Sequence, residues 1–301
     1  MVLRILLSGK GLAVALLGFL TVFLCNGEVL SQGGEGGVAH VMLATPCYGG
    51  LVYDSFFLSV MRAMNYYRDK KVQIHAATVP GIADLPKARG ALIYQFLAHK
   101  HYTHVLFVDA DIEFTPQMIE RCIASGKDVV TVMYPKKAIE WGNIQEAVRA
   151  GSRQVFDLEK LKGIGLNYPV EWEFEAAGDA EAGSVVTDKA GFARVSRAGA
   201  GFMMVKRSAI EAMVKGYPEL AYTDLNSGQT HYAFFHTVLE TNAHSTHWVS
   251  EDFAFCDRWR KLNGEVWVDL TVGLNHTGPI KFEGGKWIDR YLPQPPPREE
   301  L

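Results

Sequence analysis

The feature that most constrains this chain is the run Val105-Leu106-Phe107-Val108, followed at once by Asp109-Ala110-Asp111. Four consecutive apolar residues, β-branched or aromatic for the most part, read as a strand covered on both faces of a sheet. Unpaired carboxylates are costly in such a core, so the strand must surface at Asp109, its carboxyl end. In open α/β sheets that edge is where ligands bind. Two acids separated by one small residue can share a hard divalent cation, with Ala110 leaving room for a ligand to approach. An acidic turn before a helix starting near Pro116 accounts for the same three residues, and the rest of the chain has to decide.

Around this strand the pattern is repetitive. Val38–Thr45 reads as a strand broken by Pro46-Cys47-Tyr48-Gly49-Gly50, and a helix over Tyr53–Tyr67 carries Phe56, Phe57, Val60 and Met64 as its apolar positions. Gly-rich turns between a strand and a helix expose backbone N–H groups and suit nucleotides or phosphates, although many such turns only reverse the chain. Val72–Val79 is a second strand and Leu85–Lys100 a helix bearing Arg89. A helix over Pro116–Ser125, with Thr115 as cap and Gly126 as stop, leads to a strand over Asp128–Met133 that ends in Tyr134-Pro135-Lys136-Lys137. Strands alternating with helices predict a mostly parallel, doubly wound α/β sheet with helices on both faces.

Residues 138–193 are more polar and read as a substrate-side insertion: two or three short helices, a strand over Pro169–Phe174 and a loop over Gly178–Gly183. Alternation resumes over Phe192–Val205 through Gly199-Ala200-Gly201-Phe202, and Ser208–Lys215 reads as a helix. The stretch Leu225–His247 reads as a mobile loop. Its histidines (231, 236, 244 and 247) lack the spacing and carboxylate partners of a zinc site. Ser250 then caps a helix whose first turn holds Glu251 and Asp252, a placement the helix dipole favours whatever their role. The helix stops at Asn263-Gly264, a strand follows over Glu265–Asp269, and Leu274-Asn275-His276 comes next.

Of the 301 residues 48% are apolar and 21% charged, and the net charge is −3. That is ordinary globular composition without the basic excess of a nucleic-acid binder. Arg4 and Lys10 precede Gly11–Cys25, fifteen residues without a charge, and Glu28 follows. This predicts a signal anchor over 1–27, with a cleaved signal peptide as the alternative, then a stem over 28–37, a catalytic domain over 38–287 and a Pro-rich tail over 288–301. The expected address is the Golgi or ER membrane, single-pass with the catalytic domain in the lumen, or secretion if cleavage occurs. Beyond Cys25, the three widely spaced Cys47, Cys122 and Cys256 allow one disulfide, the odd count leaving at least one free thiol or an intermolecular pair, and fit no CxxC pattern.

The ordered set Thr45-Pro46, Arg89, Asp109-Ala110-Asp111, Tyr134-Pro135-Lys136-Lys137, Gly199-Ala200-Gly201-Phe202, Ser250-Glu251-Asp252 and Leu274-Asn275-His276 resembles a GT-A-fold glycosyltransferase. It is most similar to the small inverting enzymes of bacteria and of large algal viruses, over about Val38 to Gly285. The resemblance implies a Rossmann-like sheet, a nucleotide-sugar donor (UDP-sugar in most of the class, GDP-sugar in some) and Mn²⁺ or Mg²⁺. It places Asp109 and Asp111 on the metal and donor diphosphate, and His276 at a further metal-ligand position. Thr45, Pro46 and Tyr48 fall on the loop around base and ribose, Arg89 at the nucleotide or its phosphates, and Ala110 between the two acids. Asp252 takes the place of the catalytic base, with Glu251 orienting the acceptor. Gly90 stands where relatives often have Asn, and Ala200 where they often have Thr.

The chemistry needs these residue types. A nucleoside diphosphate leaves as a highly charged group, which a divalent cation neutralises. An imidazole added to carboxylates tilts the choice toward Mn²⁺. The acceptor hydroxyl of a glycan, glycoprotein or glycolipid must lose a proton as it attacks, and a carboxylate can take it. A retaining mechanism, a non-catalytic carbohydrate-binding or scaffolding relative, and a sugar nucleotidyltransferase stay open as alternatives. The last would want a basic residue in the Pro46–Gly50 turn, which has none. Asn275-His276-Thr277 is a glycosylation sequon, expected to be unused if His276 lies in a cleft.

Overall fold

The computed structural model describes residues 37–151, 162–173, 185, 187–242 and 244–278, with the backbone of 281–282. The expected anchor 1–27, the stem up to residue 36, the Gly178–Gly183 loop and the tail 288–301 lie outside the described residues. Among the described residues no helix is long and apolar enough to cross a membrane.

Strand and helix alternate from Ala39 as the residue pattern requires. β1 (Ala39–Pro46), α1 (Asp54–Tyr67), β2 (Val72–Val79), α2 (Leu85–Ala98) and β3 (His104–Val108) form the first half of the sheet. β4 (Ile112–Glu113), α3 (Pro116–Ala124), β5 (Val129–Met133) and α4 (Trp141–Arg149) follow. α2 starts where Asp84 accepts a hydrogen bond from the Lys87 N–H, with a proline in its first turn. α3 ends at Gly126, whose φ of +65° is a conformation glycine adopts without strain.

β6 (Val170–Trp172), β7 (Phe192–Ala198), β8 (Phe202–Lys206) and α5 (Arg207–Gly216) come next. α6 (Glu251–Lys261) and β13 (Val266–Gly273) complete the main layers. The eight-stranded sheet has the order β2-β1-β3-β8-β5-β13-β7-β6. Pairing fixes β1, β2, β3, β5, β6 and β13 in one direction and turns β7 and β8 against them. The sheet is therefore mostly parallel in strand direction, but antiparallel β8 is wedged between β3 and β5.

Two-sided burial explains the apolar run that dominates the sequence. Met42, Ala44, Val105 and Phe107 meet residues of α2, α5 and α6, including Leu92, Phe96, Ile210 and Phe255. Val41, Leu43, Leu106 and Val108 meet α1 and α3 on the other face, through Phe56, Val60, Ala63, Ile119 and Cys122. Helices thus cover both faces, and fully burying a side chain such as Phe107 contributes about 2–3 kcal/mol. On α1, Phe56 and Val60 face this core as expected, whereas Phe57 and Met64 face outward.

Two further expectations are corrected. Residues 225–247 are not a plain loop: β9 (Ala221–Thr223) pairs with β10 (Thr230–Tyr232), and β11 (Val238–Thr241) with β12 (Thr246–Val249). The turns are organised by polar side chains. Asp224 accepts the Ser227 N–H at 2.9 Å, and Asn242 accepts those of His244 and Ser245 at 2.9 Å. Cys47, Cys122 and Cys256 are all buried free thiols, so none of them pairs among the described residues.

Candidate functional site

The site is built at the carboxyl edge of the parallel strands, from the ends of β1, β3 and β5, the start of β8, the first turn of α6, and β14 (Asn275–Thr277). Its acidic loop is held by its own backbone. The Asp109 N–H donates to the Gly201 carbonyl at 3.0 Å, and the Ala110 carbonyl accepts the Tyr53 N–H at 2.9 Å. The Asp111 carbonyl accepts the Thr277 N–H at 2.8 Å. Ala110 therefore serves through its main chain as well as its small size.

Tyr134 fills the floor. Its buried hydroxyl accepts the Gly201 N–H at 3.1 Å, and its ring meets the His276 ring edge-on with centroids 5.5 Å apart. A Cβ at Gly199 would stand 2.1 Å from the Tyr134 Oη, and one at Gly201 2.7 Å from its Cζ. The two glycines are there because an aromatic ring lies on them. Burial, and then the charges of Asp109 and Asp252, push the Tyr134 hydroxyl well above its ordinary pKa, so it stays neutral.

Arg89 lies 1% exposed beneath this floor. Its Nη1 donates to Glu251 at 2.8 Å and its Nη2 to Asp109 at 3.1 Å, while the guanidinium sits over the Phe235 ring at 5.1 Å. Burial alone would lower its pKa; the carboxylates of Asp109, Glu251 and Asp252 outweigh that and raise it. Arg89 is thus an enclosed cation joining α2, the end of β3 and the start of α6. It reaches the strand edge only through the two acids it holds.

Asp111 turns the other way. Its Oδ2 takes a short hydrogen bond from Lys137 Nζ, and its Oδ1 lies 3.2 Å from His276 Nε2. His276 Nδ1 stands 2.8 Å from the Pro135 carbonyl, which can only accept, so the ring donates there. In a neutral imidazole that leaves the Nε2 lone pair facing a carboxylate oxygen. Asp111 Oδ1 is itself buried without a hydrogen-bond partner of proper geometry. Two acceptors pointed at each other call for a proton or a cation between them. A ligating histidine ordinarily donates its other nitrogen to a carbonyl in this way. Burial would raise the Asp111 carboxyl; His276 when it carries a proton, and the Lys137 ammonium, hold it below the usual carboxylate value by hydrogen bond and charge.

This oxygen–nitrogen pair fits Mn²⁺ or Mg²⁺ in its donor chemistry. Asp109, engaged by Arg89, does not join it, and no group of three or more His, Cys, Asp or Glu donors is gathered on one point among the described residues.

Asp252 has a different environment. Its Oδ1 takes a short hydrogen bond from the Ser250 hydroxyl and the Phe253 N–H at 2.9 Å. No ion pair engages it among the described residues, and it is half-buried. Ser250 occupies the N-cap position, yet its hydroxyl donates to Asp252 instead of accepting a backbone N–H. Glu251, by contrast, is committed to Arg89.

At the end of β1, Thr45 is buried with its Oγ1 unpartnered, Pro46 is half-buried and Tyr48 is exposed. They share the edge with the acidic loop but form no bond to it. Asn275 Nδ2 donates to Glu113 at 3.0 Å from within a strand pair, a poor setting for a glycan. Tyr134 and Lys137 lie in the Tyr134-Pro135-Lys136-Lys137 motif, yet sequence alone assigned Tyr134 no role and left the lysines between phosphate contact and solvation of a strand end. Lys137 turns to Asp111, and Tyr134 lies against the two glycines.

No family model matches the chain, and no curated protein matches it in sequence. Among solved structures, A197 from STIV aligns with a TM-score of 0.41 and 15% identity over 79% of this chain and 86% of that one. A protein from Desulfovibrio desulfuricans G20, named as a candidate nucleotide-diphospho-sugar transferase, aligns with a TM-score of 0.23 and 11% identity. That alignment covers 43% of this chain and 78% of the other. Likenesses at these scores carry no functional argument, which rests on the residues.

Proposed function

We propose that the chain is a divalent-metal-dependent glycosyltransferase of GT-A type. It moves a sugar from a nucleoside diphosphate sugar, UDP-sugar in the simplest case, to a hydroxyl of a glycan or glycoconjugate. The observation that carries this reading is the convergence of Asp111 Oδ1 and His276 Nε2 at a strand end, with an acid near the same Tyr134 floor, Asp252, that no ion pair engages among the described residues.

A Mn²⁺ or Mg²⁺ held by Asp111 and His276 would neutralise the departing diphosphate as a Lewis acid. Lys137, paired with Asp111, adds a fixed positive charge where phosphate oxygens would lie. Arg89 holds Asp109 and Glu251 in place from beneath, so both are positioned before substrate arrives. Asp252 has an oxygen that takes no hydrogen bond among the described residues, and there it can receive the acceptor hydroxyl's proton. A base on the face opposite the leaving group would invert the anomeric centre. Thr45, Pro46 and Tyr48 are the proposed base and ribose contacts. The uncharged segment Gly11–Cys25 is the proposed membrane tether of a lumenal enzyme.

Calorimetric titration of UDP, and separately GDP, into the purified chain with Mn²⁺ or with EDTA tests the reading. Binding of one nucleotide that needs metal and is lost in Asp111→Asn and His276→Gln is the expected result. In Asp252→Asn binding should persist while turnover falls by roughly 10²–10⁴-fold. Failure of both nucleotides to bind with either metal would overturn it.

A further inference from the structure

Imidazoles gather at the amino-terminal end of β1 and β2, opposite the edge that carries the candidate site. His75 is paired with Met42 and His40 lies two residues before it, so both side chains face the α2 side of the sheet. His99 and His101 come from the turn between α2 and β3. The rings of His40, His75 and His101 form a nearly equilateral triangle. Their centroids are 5.9 Å apart for His40–His75, 5.7 Å for His40–His101 and 5.6 Å for His75–His101. The His99 ring lies 5.8 Å from that of His101, and the buried Tyr102 ring 5.3 Å from that of His75. The imidazole nitrogens do not gather on one point as metal ligands would. β2 is the outermost strand of the sheet and pairs with β1 alone, so these rings help to hold an edge.

Two buried nitrogens decide what the cluster can do. His40 Nδ1 and His75 Nε2 have no hydrogen-bond partner. A neutral imidazole meets this by carrying its proton on the other nitrogen, whereas an imidazolium donates from both and would leave a buried N–H unsatisfied. The surrounding charges add to that cost. On α5, Arg207 donates to the Phe96 and His99 carbonyls at 2.8 Å and to that of Tyr102 at 2.5 Å, with Glu211 as its own partner at 3.4 Å. The turn supplies Lys100 beside His99 and His101. From β3 and its approach, the Thr103 hydroxyl bonds the His40 main chain and leaves its ring alone, and His104 turns to Thr103. Among the described residues no carboxylate is one of the charges acting on the three rings. Burial lowers the pKa of each, and neighbouring imidazoles lower His75 and His101 further, with Arg207 adding to the effect at His101.

We propose that His40, His75 and His101 form a proton-released latch, which in mild acid frees β2 and the α2–β3 turn while the rest of the sheet stays paired. The open form takes up protons with ordinary histidine affinity, near about pH 6.5, and the closed form resists them. The latch therefore holds above that value and weakens as pH falls, by up to about tenfold per pH unit for each histidine. Release reaches the site edge, because the Val79 carbonyl at the far end of β2 accepts the Cys47 N–H at 3.3 Å. The latch does not depend on the sugar-transfer reading, and its test does not use activity.

Hydrogen exchange of the full-length chain, read by mass spectrometry and corrected for the intrinsic pH dependence of exchange, tests the latch. Between about pH 7 and pH 5, protection over Val72–Val79 should fall about tenfold or more relative to that over Val129–Met133 and Val266–Gly273. His75→Gln, which cannot take up the proton, should remove most of this excess loss. His101→Gln, at an exposed position, should lessen it without endangering the fold. His104 is paired with Val41 and faces the other side of the sheet, so His104→Gln should leave it in place. Equal loss over the three strands overturns the proposal. So does an excess loss that neither His75→Gln nor His101→Gln reduces, or one that disappears in His104→Gln.

Discussion

Replacing Arg89 with Met removes a cation that is almost wholly enclosed between two carboxylates. The guanidinium side chain is 2% accessible and those of Asp109 and Glu251 28% and 20%, so water cannot replace it. At 2.8 and 3.1 Å each contact has a gross attraction of about 5–6 kcal/mol at an effective dielectric near 20. Most of that offsets the cost of taking the guanidinium out of water. Met fills much of the same space against Phe235 and restores none of the charge. Removing one partner of a buried ionic group costs about 3–5 kcal/mol, because the partners stay behind unpaired. With a urea slope near 3 kcal/mol/M, the unfolding midpoint should fall by roughly 1 M or more. Adding Glu251→Gln to Arg89→Met should recover part of the loss, since it removes one of the two carboxylate charges left unpaired. A single variant within about 1 kcal/mol of the parent would refute the reasoning. So would a double variant less stable than the single one.

Two further outcomes follow from the same kind of geometry. Gly199→Ala drives a methyl into the Tyr134 hydroxyl and Pro169 and should cost about 1–3 kcal/mol or more by chemical denaturation, with Tyr134→Phe returning part of it. His104 is held neutral in the fold, its pKa pushed down to about 4 by burial and then by the Lys206 charge. The unfolded chain takes up that proton near pH 6.5, so stability is full above 6.5 and drains as pH falls toward 4, by at most about 3 kcal/mol. His104→Gln should flatten the stability profile in that window; an unchanged slope would show that another group titrates there.

Much of the fold can be read from local pattern because two-sided burial leaves a local signature. Val105–Val108 has no polar position, and that is how a strand with helices on both faces must look. The acids that end it had nowhere to go but the edge. α1 shows where the method stops: period alone joined Phe56, Phe57, Val60 and Met64 into one face, whereas the sheet takes Phe56 and Val60 and leaves the other two outside. The hairpins over 221–249 escaped because their strands are three or four residues long and mostly exposed, too short to show a buried face. Within the site, order and resemblance drew attention to Asp111, Asp252 and His276, and the fold brings Asp111 and His276 together. The direction each carboxylate faces was not, since Arg89 meets Glu251 and Lys137 meets Asp111 through contacts that only the folded chain creates. Asp109 and Asp111 look like twins in the sequence, and the fold sends them to opposite partners.

The three backbone bonds of the acidic loop reach segments made at very different times during synthesis. Tyr53 emerges from the ribosome before the loop, Gly201 well after it, and Thr277 last of the three. Each closure ties off a long stretch of chain, and such distant pairings are slow to form because entropy is lost before contacts return it. A nascent chain can therefore carry Asp109 and Asp111 through the synthesis of the next 166 residues, up to Thr277, without presenting them as a site. Termination ahead of Thr277 should leave the Asp111 carbonyl without its partner, so the acids remain chemically silent until Thr277 has been made.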